Sequence, residues 1–282
     1  MNYSFPFSDV RINKVAETRR VMNPLYADDY WQMNQDEFAM QVEGVGNFYA
    51  CKGNDIEYSP HPDVSDEEVQ LYLSGSVYGA ILHQRRILPM HGSCFATLGK
   101  GVMLCGESGA GKSALTAALS LDGCIFLTDD VTPVIFNSHI PNIFVFSDRI
   151  KLWEDTLEQL NLDKSGLKRI SPETDKYYFS IDKSAAGLVP LNIIYLLEIH
   201  DQKESIFSEL TGSDRFSSLH NEIYRREFLN GMPDNETIYF RNLVDISNNV
   251  KIFSVKRPEI VRVDELMPLL RDHIINNITN GL

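Results

Sequence analysis

The chain has 282 residues, room for one sizeable domain with a smaller annex and not for an array of modules. Its 39 acidic against 26 basic side chains leave a net charge of −13, which argues against a dedicated nucleic-acid scaffold but leaves open a nucleotide held by backbone N–H groups and one lysine. At 43% apolar residues it can fill a core, yet no apolar run reaches the roughly 20 residues of a membrane span and the opening MNYSFPFSDVRINK lacks the build of a secretory signal, so a cytoplasmic protein without a membrane partner is expected.

Residues 1 to about 60 read as short strands and turns. In FAMQVEGVGNFYACKGNDIEYSP two alternating stretches flank a KGN turn, with Gly53-Asn54 suited to positive φ. SDEEVQLYLSGSVYGAILHQRR follows. Ser65 and Glu68 form a capping box, Val69, Leu73, Val77, Tyr78, Ile81 and Leu82 recur at helical spacing, and Gly75 and Gly79 admit a close neighbour. This helix is expected to connect a small region, 1–86, to a main domain, 87–282. Within the latter, ILPMHGSCFATLGKGVMLCG predicts two strands about an LGKG turn, SALTAALSL a helix and CIFLTDDVTPVIF a return to strand. That order is the local grammar of an α/β nucleotide-binding core. Farther on, IKLWEDTLEQLNL and SSLHNEIYRREFLN read as helices, YYFSI, LNIIYLLEI and KIFSV as strands, and VDELMPLLRDHIINNI as a last helix.

The chemistry centres on Gly106-Glu107-Ser108-Gly109-Ala110-Gly111-Lys112-Ser113, which matches the phosphate-binding loop pattern between a strand and a helix. Glycines let consecutive N–H groups curve around a phosphate, the helix N-terminus adds a favourable field, Lys112 reaches the β- and γ-phosphates, and Ser113 offers a hydroxyl to Mg²⁺. Asp129 and Asp130 close the apolar strand CIFLT. Adjacent carboxylates there are costly without a metal, a proton or hydrogen bonds. In a phosphoryl-transfer site one takes the proton of the attacking hydroxyl and the other meets the metal, and strand alternation predicts opposite faces and unequal roles. His91, in LPMHGS, is placed to hold one of them. The competing plain readings are a glycine-rich turn, a solvated aspartate pair and a structural histidine. Arg149 and Lys151 are expected at the rim; Arg225-Arg226 and Lys256-Arg257 read as solubilising charge, and Glu154 and Asp155 as helix-dipole partners. The other histidines show no metal-ligand spacing, and Cys51, Cys94, Cys105 and Cys124, with no CxxC pair, read as buried thiols.

LPMHGSCFA, GVMLCGESGAGKSALTAALS, CIFLTDDVTPV and RIKLWEDTLEQL together resemble the catalytic domain of the HPr serine kinase and phosphorylase family, and more closely its HprK-like serine kinases, which include tailoring kinases of lasso peptides. The resemblance spans about residues 75–200, with a continuation through FSVKRPEI. It implies an α/β P-loop kinase core related to phosphoenolpyruvate carboxykinase with a small N-terminal α+β region, ATP and Mg²⁺ as cofactors, and a serine of a protein or peptide as acceptor. By motif position it makes Lys112 the phosphate-binding lysine, Asp129 the acid/base, His91 its partner, and Ser113 and Asp130 the metal-side groups. Neither an LEIRG signature nor a PVRPGRN-like run is present, so reverse phosphorylase activity is not expected. The alternative is a P-loop ATPase or nucleotide-regulated binding protein without a phosphoacceptor, in which an aspartate positions water; a carboxykinase-like metabolic enzyme is less favoured, for want of an acceptor-binding constellation. The sequence selects neither the acceptor nor an oligomeric state.

Overall fold

A computed structural model describes residues 3–181 and 187–279 as a mixed α/β protein with several sheets. The first six strands are β1 (Arg11–Lys14), β2 (Tyr26–Ala27), β3 (Trp31–Met33), β4 (Glu37–Val42), β5 (Gly46–Cys51) and β6 (Asp55–Pro60), hydrogen-bonded in the order β1-β6-β5-β4-β3-β2. Alternation decides their faces: Phe38 and Met40 of β4 and Ile56 and Tyr58 of β6 are buried while their neighbours are not. The β5–β6 turn takes its positive φ at Lys52 and Gly53, one residue earlier than expected. Helix α1 (Asp66–Tyr72) starts at the predicted capping box, Ser65 Oγ accepting from the Glu68 N–H. It passes through one π-helical turn, Leu73–Val77, into α2 (Tyr78–Gln84). Gly79 is needed for packing, since a Cβ there would stand 2.9 Å from the Tyr224 ring.

Then follow β7 (Leu88–Thr97), β8 (Lys100–Gly106), α3 (Lys112–Leu121), β9 (Ile125–Thr128), β10 (Val131–Asn137), β11 (Ile140–Phe144), β12 (Arg149–Trp153), α4 (Glu154–Gln159), β13 (Lys168–Arg169), β14 (Lys176–Ser180), β15 (Leu188–His200), β16 (Ile206–Glu209), α5 (Ser213–Asn221), α6 (Asn235–Asn249), β17 (Lys251–Pro258) and α7 (Val263–Thr279). The large sheet runs β11-β10-β7-β8-β15-β17-β16, with β9 attached to β7. Its parallel centre, β8, β15 and β17, is a set of near-continuous apolar runs because both faces are covered. Leu115 and Leu119 of α3 and Leu266 and Leu270 of α7 pack there on Leu104 and Tyr195. Ala117, on another side of α3, meets Ile150, Leu152 and Tyr177 of a third, three-stranded sheet ordered β12-β14-β13. Here the reading of IKLW as helix is corrected. Ile150 and Leu152 alternate with Arg149, Lys151 and Trp153, a period of two that makes a strand, and the helix begins only at Glu154. Likewise SSLHNEIYRREFLN is not one helix: α5 stops at Asn221, and Arg225, at φ 50°, precedes a short 3₁₀ turn, Arg226–Asn230.

The chain divides into two compact units. One takes the residues up to Pro89 together with Ile223–Arg241, and the other takes Met90–Glu222 and the residues from Asn242 onward. The return of 223–241 to the first unit has a packing cause: the Phe228 ring lies 5.0 Å from that of Phe38 and 5.3 Å from that of Trp31, and the Tyr239 hydroxyl donates to the Ile87 carbonyl. No helix among the described residues is long and apolar enough to cross a membrane.

Candidate active site

Strand β8 ends at Gly106, where φ is 127° and a Cβ would stand 2.4 Å from the Leu197 carbonyl oxygen, so only glycine lets the chain leave the sheet. The loop then runs to α3, whose first residue is Lys112. The Lys112 ammonium is buried against the loop, donating to the carbonyls of Gly106 at 2.6 Å and Glu107 at 3.1 Å. From the end of β17, Arg257 donates through Nε to the Ala110 carbonyl at 2.8 Å and through Nη2 to that of Gly109 at 2.9 Å. Glu222 closes the other side. Its Oε2 accepts from the Gly106 N–H at 3.1 Å, its backbone carbonyl accepts from the His91 N–H at 2.7 Å, and burial pushes its carboxyl up.

After β9 the backbone makes an unusual turn. The Val131 N–H donates to the Asp129 carbonyl, two residues back, with Asp130 at φ 72° between them. This is the rare, positive-φ γ-turn, a strained conformation of the sort that persists at functional sites. It also defeats the expectation of opposite faces. Once the strand has ended, both carboxylates line one cleft of about 400 Å³ with His91, Lys112, Ser113 and Lys151.

Within that cleft the two aspartates have different company. Ser113 Oγ donates to Asp129 Oδ1 at 2.8 Å and the Lys151 N–H to Oδ2 at 3.1 Å, leaving the side chain enclosed. Asp130 instead accepts from Lys151 Nζ at 2.6 Å and faces His91 Nε2 at 3.5 Å, with 29% of its side chain accessible. The resemblance implied His91 beside Asp129; the imidazole reaches Asp130, because Asp129 is turned down onto α3. Electrostatics separates the pair as well. Burial, and then the charge of Asp130, raises the Asp129 carboxyl above its ordinary value. Burial acts the same way on Asp130, but the Lys151 ammonium outweighs it and holds that carboxyl well below the usual range.

The rest of the lining is mixed: Lys176, Arg257 and Arg262 bring positive charge, Asp155 and Glu259 negative charge, and Leu115, Val261, Val263 and Leu266 an apolar side. Lys151 lines the cleft. Arg149 is not among the lining residues, and Glu154 pairs with Lys164. Sequence reasoning missed Lys176, Glu222 and the role of Arg257. Lys176 lines the cleft with its pKa lowered by burial and by Lys151. Arg257 could have been flagged as the residue ending an apolar strand: β17 and β8 both run parallel to β15, so their C-terminal ends lie on one side of the sheet, where ligands gather in such folds.

The donor set suits a hard cation, since Ser113 and Asp129 offer oxygens and a buried carboxylate pair gains from added positive charge. Among the described residues no cluster of three or more His, Cys, Asp or Glu side chains stands in metal-binding arrangement, so an ion here would need ligands beyond these side chains. Comparison with known proteins gives little more. No family model matches the chain, and no curated protein does. Among solved structures it is distantly similar to the Hpr(Ser) kinase/phosphatase from Coxiella burnetii, with 12% identity, a TM-score of 0.36, and coverage of 68% of this chain and 91% of that one. Similarity at that level transfers no chemistry, and the site rests on its own geometry.

Proposed function

We propose that the protein is an ATP- and Mg²⁺-dependent kinase that transfers the γ-phosphoryl group to a serine hydroxyl of a protein or peptide. The observation that carries this reading is the meeting, in one cleft, of a phosphate-loop lysine and serine with two carboxylates in unlike environments. A simple phosphate-binding turn has no need of the second, strained carboxylate. Lys112 and the N-terminus of α3 bind phosphates. Ser113 and Asp129, already hydrogen-bonded to each other, hold the cation, which when bound neutralises charge on phosphate oxygens. Asp130 takes the proton from the acceptor hydroxyl, with His91 orienting it. Basicity alone would favour Asp129. Access decides for Asp130, because 29% of its side chain is open while Asp129 is buried, and a base out of reach of the hydroxyl removes no proton.

The test follows label from [γ-³²P]ATP in the presence of serine-containing peptides, with Lys112→Ala as the control. Label on serine, lost in the variant along with nucleotide affinity, is the expected result. Label released only as inorganic phosphate would replace the kinase reading with an ATPase, and unchanged ATP affinity in Lys112→Ala would remove the nucleotide site itself.

A further inference from the structure

The small β12-β14-β13 sheet turns one face to the core and gathers basic side chains on the other, where Arg149, Trp153 and Lys168 are accessible and Tyr178 is buried, although the protein as a whole carries −13. Ile150 and Leu152 of β12 are buried, so Arg149, Lys151 and Trp153 share the opposite face. The strand register adds to that face Lys176 opposite Trp153, Tyr178 opposite Lys151, and Lys168 of β13 opposite Tyr178. Cations and rings interleave there. The Arg149 guanidinium lies 4.6 Å over the Tyr178 ring and the Lys176 ammonium 5.3 Å from the centre of the Trp153 ring. Asp148 approaches Arg149 at 3.9 Å, and Asp130 holds Lys151. Lys151, Trp153 and Lys176 also line the cleft that contains both aspartates, so the strip begins inside the site and runs out of it.

We infer that this strip is the docking surface for the acceptor, and that the acceptor is a peptide segment with acidic side chains flanking its serine. The inference rests on the kinase reading above and adds the substrate class. From Trp153 to Arg149 the strand covers about 13 Å, the length of roughly four residues of extended peptide. A small anionic metabolite would fill only the cleft end, leaving Arg149 and Lys168 with no part. Charge complementarity gives direction, since a protein this acidic repels an acidic peptide over most of its surface and attracts it where cations are gathered. The stacking of Arg149 and Lys176 on rings preorganises their charge, which lowers the entropy lost on docking.

Fluorescence anisotropy on the full chain, without nucleotide, tests this with two labelled peptides that differ only in having glutamates or lysines around the single serine. The glutamate peptide is expected to bind about five- to tenfold tighter at low salt, and the preference to vanish at high salt and in the double variant Arg149→Glu, Lys168→Glu. Arg149→Gln with Lys168→Gln, checked by circular dichroism, serves if charge reversal harms the fold, and should weaken the preference in the same direction. Equal binding of the two peptides, tighter binding of the lysine peptide, or a preference that survives the variants would overturn the proposal. The two readings fail separately: phosphate transfer to serine without charge preference removes the docking strip and keeps the kinase, whereas preferential binding of the glutamate peptide with no transfer of label keeps the strip as an acidic-peptide site and removes the kinase.

Discussion

Asp129 and Asp130 are the same side chain one peptide bond apart, and they differ only in what surrounds them. Asp130→Asn is expected to cut single-turnover transfer by about 10²–10⁴ while Mg²⁺-ATP still binds; Asp129→Asn should weaken metal-dependent nucleotide binding. The second change carries a stability signature too. An Asn at 129 keeps partners for Ser113 and for the Lys151 N–H but removes a buried charge, so the midpoint of thermal unfolding should rise by about 2–4 °C at neutral pH. A carboxyl whose folded pKa is raised costs stability while ionised, so the gain should shrink as pH falls through that raised pKa and the native protein neutralises itself. Calorimetry from neutral to acidic pH measures this. Lys151→Met tests Asp130 in the other direction: with the ammonium gone, burial dominates, the carboxyl rises, and the acid limb of the kcat/KM profile should move to higher pH. An unmoved acid limb would mean that Asp130 is not the base.

At the scale of elements, the site is a set of strand ends stitched to a loop. Arg257 is the stitch, because one planar guanidinium serves the carbonyls of both Gly109 and Ala110. Arg257→Lys should not substitute for it. We expect about tenfold weaker ATP binding by calorimetry with loss of about 1–3 kcal/mol in urea unfolding, since the carbonyls of buried Ala110 and of exposed Gly109 lose their shared donor. Much of this region was legible in the sequence. The glycine-rich loop, its preceding strand and following helix, and the aspartate pair lie close together in the chain, and their local pattern is strong. What escaped was either short or distant. The γ-turn at Asp130 has no residue signature, since a non-glycine at positive φ is held there by surrounding structure and not by preference. IKLW is too short for its alternation to outweigh the helical pattern that follows it. Glu222 and Arg257 reach the loop from more than a hundred residues away, through a sheet order that no local period encodes.

At the scale of the molecule, the first unit is assembled from two stretches of chain. Short strands and turns, with alternation in two stretches, are read from its first 60 residues, but the order of its six strands is not, and the side chains that complete its core, Phe228 and Tyr239, come from the far segment. A fragment of residues 1–89 is therefore expected to lack fixed tertiary structure, seen as weak near-ultraviolet dichroism and dye binding, and to recover cooperative unfolding when residues 223–241 are appended through a Gly/Ser linker. Cooperative folding of 1–89 alone would show that the second segment is dispensable to this unit.

That division of the first unit also sets a clock. Phe38 leaves the ribosome 190 residues before Phe228, an interval on the order of 10–40 s at ~5–20 residues per second. Throughout it α1 and α2 cover part of the six-stranded sheet, but Phe38 and Trp31 wait without the ring that packs on them, and every chain that stalls or is cut before residue 223 keeps that end of the face exposed. The N-terminal region, first to be made, is thus among the last to be finished, and a holding chaperone has most to protect in the half-made chain.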